Sequence, residues 1–190
     1  PEGGPPGPPS SDSEDHLVVT IKQAQPEDAG CLAAIGAATF LEAFCDHIAA
    51  ADLLLHLQRQ HDAETYRAYL TAPDPRNAAW LALHETTRAP VGYALTCPPD
   101  LPIPTEESDL ELKRLYLFSK YHGSGVATAL ERAAETHARR LGTRNMLLGT
   151  HEDNDRAAGF YRKCGYQMIG RRPFQIGDTV MDDIIMNRAL

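Results

Sequence analysis

The sequence predicts an α/β fold: a mixed central sheet of about seven strands with about four helices on its two faces. Two observations carry this. Short β-branched or apolar runs alternate with amphipathic stretches of helical period along most of the chain. In the second half, strand, helix, strand and helix follow one another directly, which requires at least one parallel pairing.

Leu17–Ile21 is short and β-branched and opens the sheet. Pro26-Glu27-Asp28-Ala29 starts a helix, with proline early and acids in the first turn; it runs to about Phe44. Asp52 opens a second helical stretch and Ala63–Leu70 forms a third. Ala78–Leu83 and Val91–Leu95 read as strands joined by a hairpin loop at Thr86–Pro90. Prolines 98, 99, 102 and 104 make Cys97–Asp109 irregular. Glu111–Phe118 is a strand that becomes apolar toward its end. Val126–Leu141 carries an apolar stripe and stops at Gly142. Asn145–Thr150 is a strand and Asn154–Lys163 a short helix ended by Gly165. Tyr166–Gly170 and Val180–Asn187 complete the sheet, and the second offers an edge for a homodimer.

Composition excludes several functions. The chain has 190 residues, which fits one domain over 16–190 behind a Pro/Gly/Ser-rich tail at 1–15 that reads as flexible. The net charge of −8 argues against nucleic-acid binding and is compatible with a cationic substrate. No apolar run reaches the ~20 residues of a membrane span, so no membrane partner is expected. The N-terminal stretch lacks the charged and apolar regions of a secretory signal. Four dispersed cysteines form no Cys-x-x-Cys pair, and a cytoplasmic protein with reduced thiols is expected. His56 and His61 are five residues apart and do not share a helical face; with no Cys/His cluster, no metal site is expected.

The chemistry concentrates at Leu115–Thr128. A strand runs into a turn containing Gly123 and Gly125, and the turn opens a helix. Glycines let backbone approach a bulky anion, and the helix start offers free N–H groups and a positive dipole end. A pyrophosphate ligand fits. The Gly-Lys-Ser/Thr of a Walker loop is absent, and Thr128 stands where a dinucleotide fingerprint would place glycine.

His122-Gly123-Ser124-Gly125-Val126-Ala127 resembles the acetyl-CoA loop of the GNAT N-acetyltransferases, Gln/Arg-x-x-Gly-x-Gly/Ala, with His122 in the Gln/Arg position. Asn154-Asp155-Arg156-Ala157 followed by Tyr161, Gly165 and Tyr166 resembles the same family's Asn-x-x-Ala-x-x-x-Tyr-x-x-x-Gly-Phe/Tyr segment. The resemblance spans about Leu17–Leu190 and implies the GNAT fold, acetyl-CoA as cofactor and a primary amine as acceptor. A narrower resemblance, to PaiA-type polyamine N-acetyltransferases, rests on Ala38–Phe44, Glu111–Tyr116 and Phe174–Asp178 with Asp182. It implies a small polyamine or diamine. A protein or peptide amine, and an inactive CoA-binding module of the same fold, stay open as alternatives.

The resemblance implies roles residue by residue. The backbone of Leu115, Tyr116, Leu117 and Phe118 holds the pantetheine arm, with the Leu117 N–H as an oxyanion donor. Residues His122, Gly123, Ser124, Gly125, Val126, Ala127 and Thr128 hold the pyrophosphate, and Asn154 a further part of the cofactor. An alkylammonium with a pKa near 10.4 costs about 4–5 kcal/mol to deprotonate at pH 7, so a base is needed. Glu111 is the first candidate and His151 the second; the departing thiolate needs an acid, for which Tyr161 stands. Phe40, Glu42, Phe44, Asp178 and Asp182 are candidate contacts to the small-molecule amine.

Overall fold

A computed structural model describes residues 19–190. The tail expected over 1–15 lies outside the described residues. The first strand, β1 (Val19–Gln23), leads through a 3-10 turn at Pro26–Asp28 into α1 (Ala29–Phe44). Then come α2 (Ala50–Gln60), α3 (Ala63–Thr71), β2 (Ala78–His84), β3 (Pro90–Cys97) and β4 (Leu110–Leu117). The second half contains α4 (Val126–Arg140), β5 (Asn145–His151), α5 (Asp155–Lys163), β6 (Gln167–Ile176) and β7 (Thr179–Ala189). No helix among the described residues is long and apolar enough to cross a membrane.

The seven strands form one mixed sheet in the order β1-β2-β3-β4-β5-β7-β6. Only β4 and β5 run parallel, joined by α4 as their crossover. Strand alternation divides the core between the two faces. On one face, Trp80, Ala94, Leu110, Leu112 and Leu148 pack with Val126, Leu130, Ala134 and Ala138 of α4 and with Ala158 and Tyr161 of α5. On the other, Leu81, Tyr93 and Leu95 pack with Leu32 and Ile35 of α1 and Tyr66 of α3. Buried positions Leu32, Ile35, Gly36, Thr39 and Phe40 recur at helical spacing, which seats α1 along a single stripe.

Two irregularities shape the middle of the sheet. The β3–β4 register jumps between Leu95/Arg114 and Thr96/Leu112, leaving Lys113 as an extra residue on β4. This bulge switches parity: Leu110 and Leu112 face α4 before it, and Leu115 and Leu117 face α4 after it. Beyond the bulge, β4 leaves β5. Their parallel register covers only Leu110/Met146 and Glu111/Leu147, so the two strands diverge.

Two expectations need correction. The strand expected at Tyr166–Gly170 is β6, which continues to Ile176 through Pro173. Proline is tolerated there because β6 is an edge strand, paired only with β7. The strand expected to offer a homodimer edge, β7, is hydrogen-bonded to β5 on one side and β6 on the other, so no edge remains on it.

Candidate active site

The divergence of β4 from β5 creates the site. Phe118 donates its N–H to Val91 of β3, and Tyr116 is opposite Tyr93. Alternation then turns the N–H and C=O of Leu115 and Leu117 away from β3, toward the opening. Tyr116 and Phe118, expected to bind through their backbone, are turned to β3 instead. The Tyr116 side chain faces the α1 side, near Phe40 at 6.1 Å between ring centroids.

At the end of the opening, Gly123 and Gly125 adopt φ values of 80° and 85°, a region that disfavours side chains. Gly125 is the N-cap of α4, and no side chain caps that helix. The first intrahelical bond runs from Ala129 N–H to Gly125 C=O, so the amides of Val126, Ala127 and Thr128 are left as donors. Val126 is buried and presents only backbone. Ser124 turns inward: its hydroxyl donates to the Tyr121 carbonyl at 2.6 Å. Uncapped amides beside a left-handed glycine, next to unpaired strand backbone, fit an extended ligand with a phosphate at one end.

Tyr161, on α5, packs edge-on against Phe160 and Tyr166 at 5.2 and 5.6 Å. Its hydroxyl has no protein partner among the described residues. Among the described residues Asn187 Oδ1 is the one sealed side-chain polar atom without a partner, so the Tyr161 hydroxyl keeps some access to solvent. Burial, with smaller effects from Tyr116, Cys164 and Glu131, raises its pKa and keeps the proton on at neutral pH. Asn154 caps α5, its Oδ1 accepting the Ala157 N–H at 3.0 Å.

The base candidates occupy the other face. Glu111 is buried; its carboxylate accepts the Asp100 N–H at 2.7 Å and lies 3.9 Å from Lys113 Nζ. Since Glu111 pairs with Leu147, His151 is four residues further along β5, roughly 13 Å away. The structure does not bring the two together. The His151 ring contacts the Asp182 carbonyl at 3.0 Å, and its Nε2 is 3.9 Å from Asp153.

The expected acceptor residues separate into two groups. Phe40 and Phe44 pack with tilted rings, centroids 4.5 Å apart, within a cluster with Leu53, Ile176 and Met181. Glu42 is engaged elsewhere: its carboxylate accepts the Ser119 N–H and hydroxyl at 3.1 and 2.9 Å, tying α1 to the end of β4. Asp178 is exposed in the β6–β7 turn, donating its N–H to Asp52; Asp182 is exposed on β7.

Arg172 has no signal in the sequence, whereas Asp183 belongs with Glu42, Asp178 and Asp182 to the acids that the sequence offers to a polyamine. Asp183 is buried on β7, 3.2 Å from Arg172, and burial raises its carboxyl pKa against the opposing pull of Arg172. The Arg172 guanidinium lies over Gly149 and over the Phe174 ring. His56 stacks on Phe40 at 4.6 Å. His56 and His61, expected to point apart, have ring centroids 5.8 Å apart because His61 is the C-cap of α2, outside its helical geometry. No group of three or more His, Cys, Asp or Glu among the described residues is placed to hold a metal ion.

Comparison with known proteins agrees with this architecture. Residues 41–166 match the acetyltransferase (GNAT) family model. An uncharacterized N-acetyltransferase of Mycobacterium tuberculosis is 34% identical over 163 residues, covering 86% of this chain and 98% of that protein. In fold, the chain is similar to a PaiA N-acetyltransferase of Thermoplasma acidophilum solved with coenzyme A (TM-score 0.72, 17% identity, 90% of this chain and 99% of that one). It is also similar to a putative acetyltransferase of Salmonella typhimurium solved with acetyl-CoA (TM-score 0.68, 20% identity, 90% and 94%). The family match across most of the chain, with the mycobacterial relative beside it, shows that the chain belongs to the GNAT family and is an acetyl-CoA-dependent N-acetyltransferase.

Proposed function

We propose that the acceptor is a primary amine on a small molecule, first among them a diamine or short polyamine, and that Glu111, Tyr161 and the Leu117 amide carry the transfer. The observation that supports this reading best is the opening between β4 and β5, with donors on one side and an aromatic, partly acidic wall on the other. Acetyl-CoA supplies the acetyl group as a thioester. The Leu115 and Leu117 backbone and the first amides of α4 hold it in this reading.

On the acceptor side, Glu111 takes a proton from the incoming ammonium through a chain of water molecules, because it lies six residues, roughly 17–20 Å, along β4 from Leu117; Lys113 and the Asp100 amide orient the carboxylate. The Leu117 N–H donates to the carbonyl oxygen as charge builds on it. Tyr161 gives its phenolic proton to the departing sulfur. Phe40, Tyr116 and Phe174 offer flat faces to a methylene chain or a cation. In this reading the exposed carboxylates of Asp153, Asp178 and Asp182 are available to a distal ammonium. The PaiA-type resemblance, the fold shared with the Thermoplasma PaiA protein and the net charge of −8 support the same class.

One observation favours a second acceptor. The Arg172 guanidinium over Gly149 can also receive a carboxylate, which suits an amino acid. Acetyl-CoA-dependent thiol release against putrescine, spermidine, spermine, free amino acids and short peptides separates the two. Turnover confined to di- and polyamines supports the first reading. Turnover confined to amino acids moves the assignment to Arg172, and turnover with peptides alone overturns both.

A further inference from the structure

We propose that Arg156 is the cation that holds the cofactor pyrophosphate at this loop, aimed there by His122. Arg156 projects from the first turn of α5, and its Nη1 lies 2.6 Å from Nδ1 of His122. A guanidinium only donates, so Nδ1 must accept. The ring is then neutral, with its proton on Nε2. Partial burial and the charge of Arg156 lower the His122 pKa in keeping with that, against the opposing effects of Glu42 and the Leu117 carbonyl. His122 therefore joins three pieces of the site: the glycine loop, the end of β4 and the start of α5.

Electrostatics argues for an anion at this point. A cation in the first turn of a helix is disfavoured by the helix dipole. Arg156 occupies that position in α5 and is also held against the loop that opens α4, whose first amides are uncapped. Among the described residues no carboxylate lies within 4 Å of it; its one side-chain partner is a neutral imidazole. The uncapped positive end of α4 and a guanidinium without a carboxylate partner converge on the same loop, while the α5 end already has Asn154 and Asp155. A dianionic group between them turns each unfavourable placement into a favourable one. A neutral His122 cannot supply the charge that an Arg at that position of the loop pattern would supply. Arg156 restores a planar, bidentate donor from a different element.

This inference rests on the loop being the cofactor site, and the experiment separates the two. Calorimetric titration compares CoA, 3′-dephospho-CoA and pantetheine binding to the wild type and to Arg156→Gln, Arg156→Lys, His122→Ala and Gly125→Glu, each first checked for a native circular-dichroism spectrum. Arg156→Gln should weaken CoA and 3′-dephospho-CoA alike by about tenfold or more and leave pantetheine within about twofold. It should also flatten the salt dependence of CoA binding. Arg156→Lys should recover part of the loss, and His122→Ala should give an intermediate one. A penalty that disappears with 3′-dephospho-CoA would assign Arg156 to the other phosphate and overturn the proposal. So would unchanged CoA affinity in Arg156→Gln while Gly125→Glu abolishes binding, which leaves the loop standing. Normal CoA binding by Gly125→Glu would remove the loop itself.

Discussion

His61 Nδ1 and the Tyr66 hydroxyl lie 2.9 Å apart, and the missing side chain of Gly36 on α1 leaves them room. A Cβ at position 36 would fall 2.5 Å from His61 Nδ1 and closer still to the Tyr66 oxygen. Neither ring can swing away, since both are buried and Tyr66 also bonds the Tyr93 hydroxyl at 3.0 Å. Helix propensity alone favours Gly36→Ala by about 1 kcal/mol. Overpacking of about 1–3 kcal/mol and a lost buried hydrogen bond act against it. The expected net effect is destabilisation by about 2 kcal/mol in urea unfolding. A stabilised variant would show that the pair has another place to go.

The same histidine sets an acid limit on stability. Burial, then the charges of Arg114 and His56, lowers the pKa of His61 to about 3. The unfolded chain titrates near 6.5, so between those values the unfolded state binds the extra proton. The stability carried by neutral His61 is complete above about pH 6.5 and is lost as pH falls toward 3. Between pH 7 and pH 5 the loss from this residue alone is about 2 kcal/mol. Urea unfolding of wild type and His61→Phe at pH 5, 6 and 7 isolates it. The variant should be less pH-sensitive over that range by about that amount, and parallel curves would remove His61 as the cause.

Much of this architecture was legible from periodicity and punctuation. The apolar spacing of α1 and α4, Gly142 and Gly165 as stops, and the hairpin at Thr86–Pro90 all act locally, so a local reading finds them. The glycine turn ahead of α4 and the place of Tyr161 on α5 were legible because their order and spacing repeat a pattern. What stayed hidden depends on distant pairing. Leu112 and Leu115 cannot share a face of an unbroken strand, yet only the pairing with β3 shows that Lys113 absorbs the difference. The strand that the sequence ends at Gly170 runs on through Pro173 because β6 is an edge. Glu42 reads as a free acid until Ser119 meets it. The His56–His61 approach follows from His61 leaving the helix, a one-residue event that helical spacing misses. Arg172 and Asp183 come from strands whose register no local pattern sets.

Tyr161→Phe removes one oxygen from a ring otherwise packed on Phe160 and Tyr166. The packing should survive, with a melting temperature close to the wild type. Turnover should fall by at least about tenfold, or about 1.4 kcal/mol of barrier, while acetyl-CoA affinity holds within about twofold. Full turnover would assign the leaving-group proton to another donor.

Glu111→Gln keeps an acceptor for the Asp100 N–H and removes the charge. It should lower turnover about tenfold or more with little change in acetyl-CoA affinity. His151→Asn, roughly 13 Å away along the strand, should stay within about threefold of wild type. The reverse pattern in steady-state kinetics would move the base to His151.

Gly149→Ala probes the acceptor wall without touching the donor side. The added Cβ would meet the Arg172 guanidinium at 2.8 Å, and that group is the far end of a flexible side chain rather than backbone. A shift of a few tenths of an ångström should relieve the contact and keep the ion pair to Asp183, so stability should fall by less than about 1 kcal/mol. The shift moves the one guanidinium that lies between β5 and Phe174. The acceptor KM should therefore rise several-fold, with acetyl-CoA affinity unchanged. Arg172→Met goes further and leaves Asp183 buried without its counter-ion, a larger loss of about 3–5 kcal/mol unless the carboxyl takes up a proton. Its stability should then recover as pH is lowered, because burial already raises the pKa of Asp183 and Arg172, more than His151, opposes that rise. An acceptor KM unchanged in both variants would place the amine away from this wall and return attention to Phe40 and Tyr116.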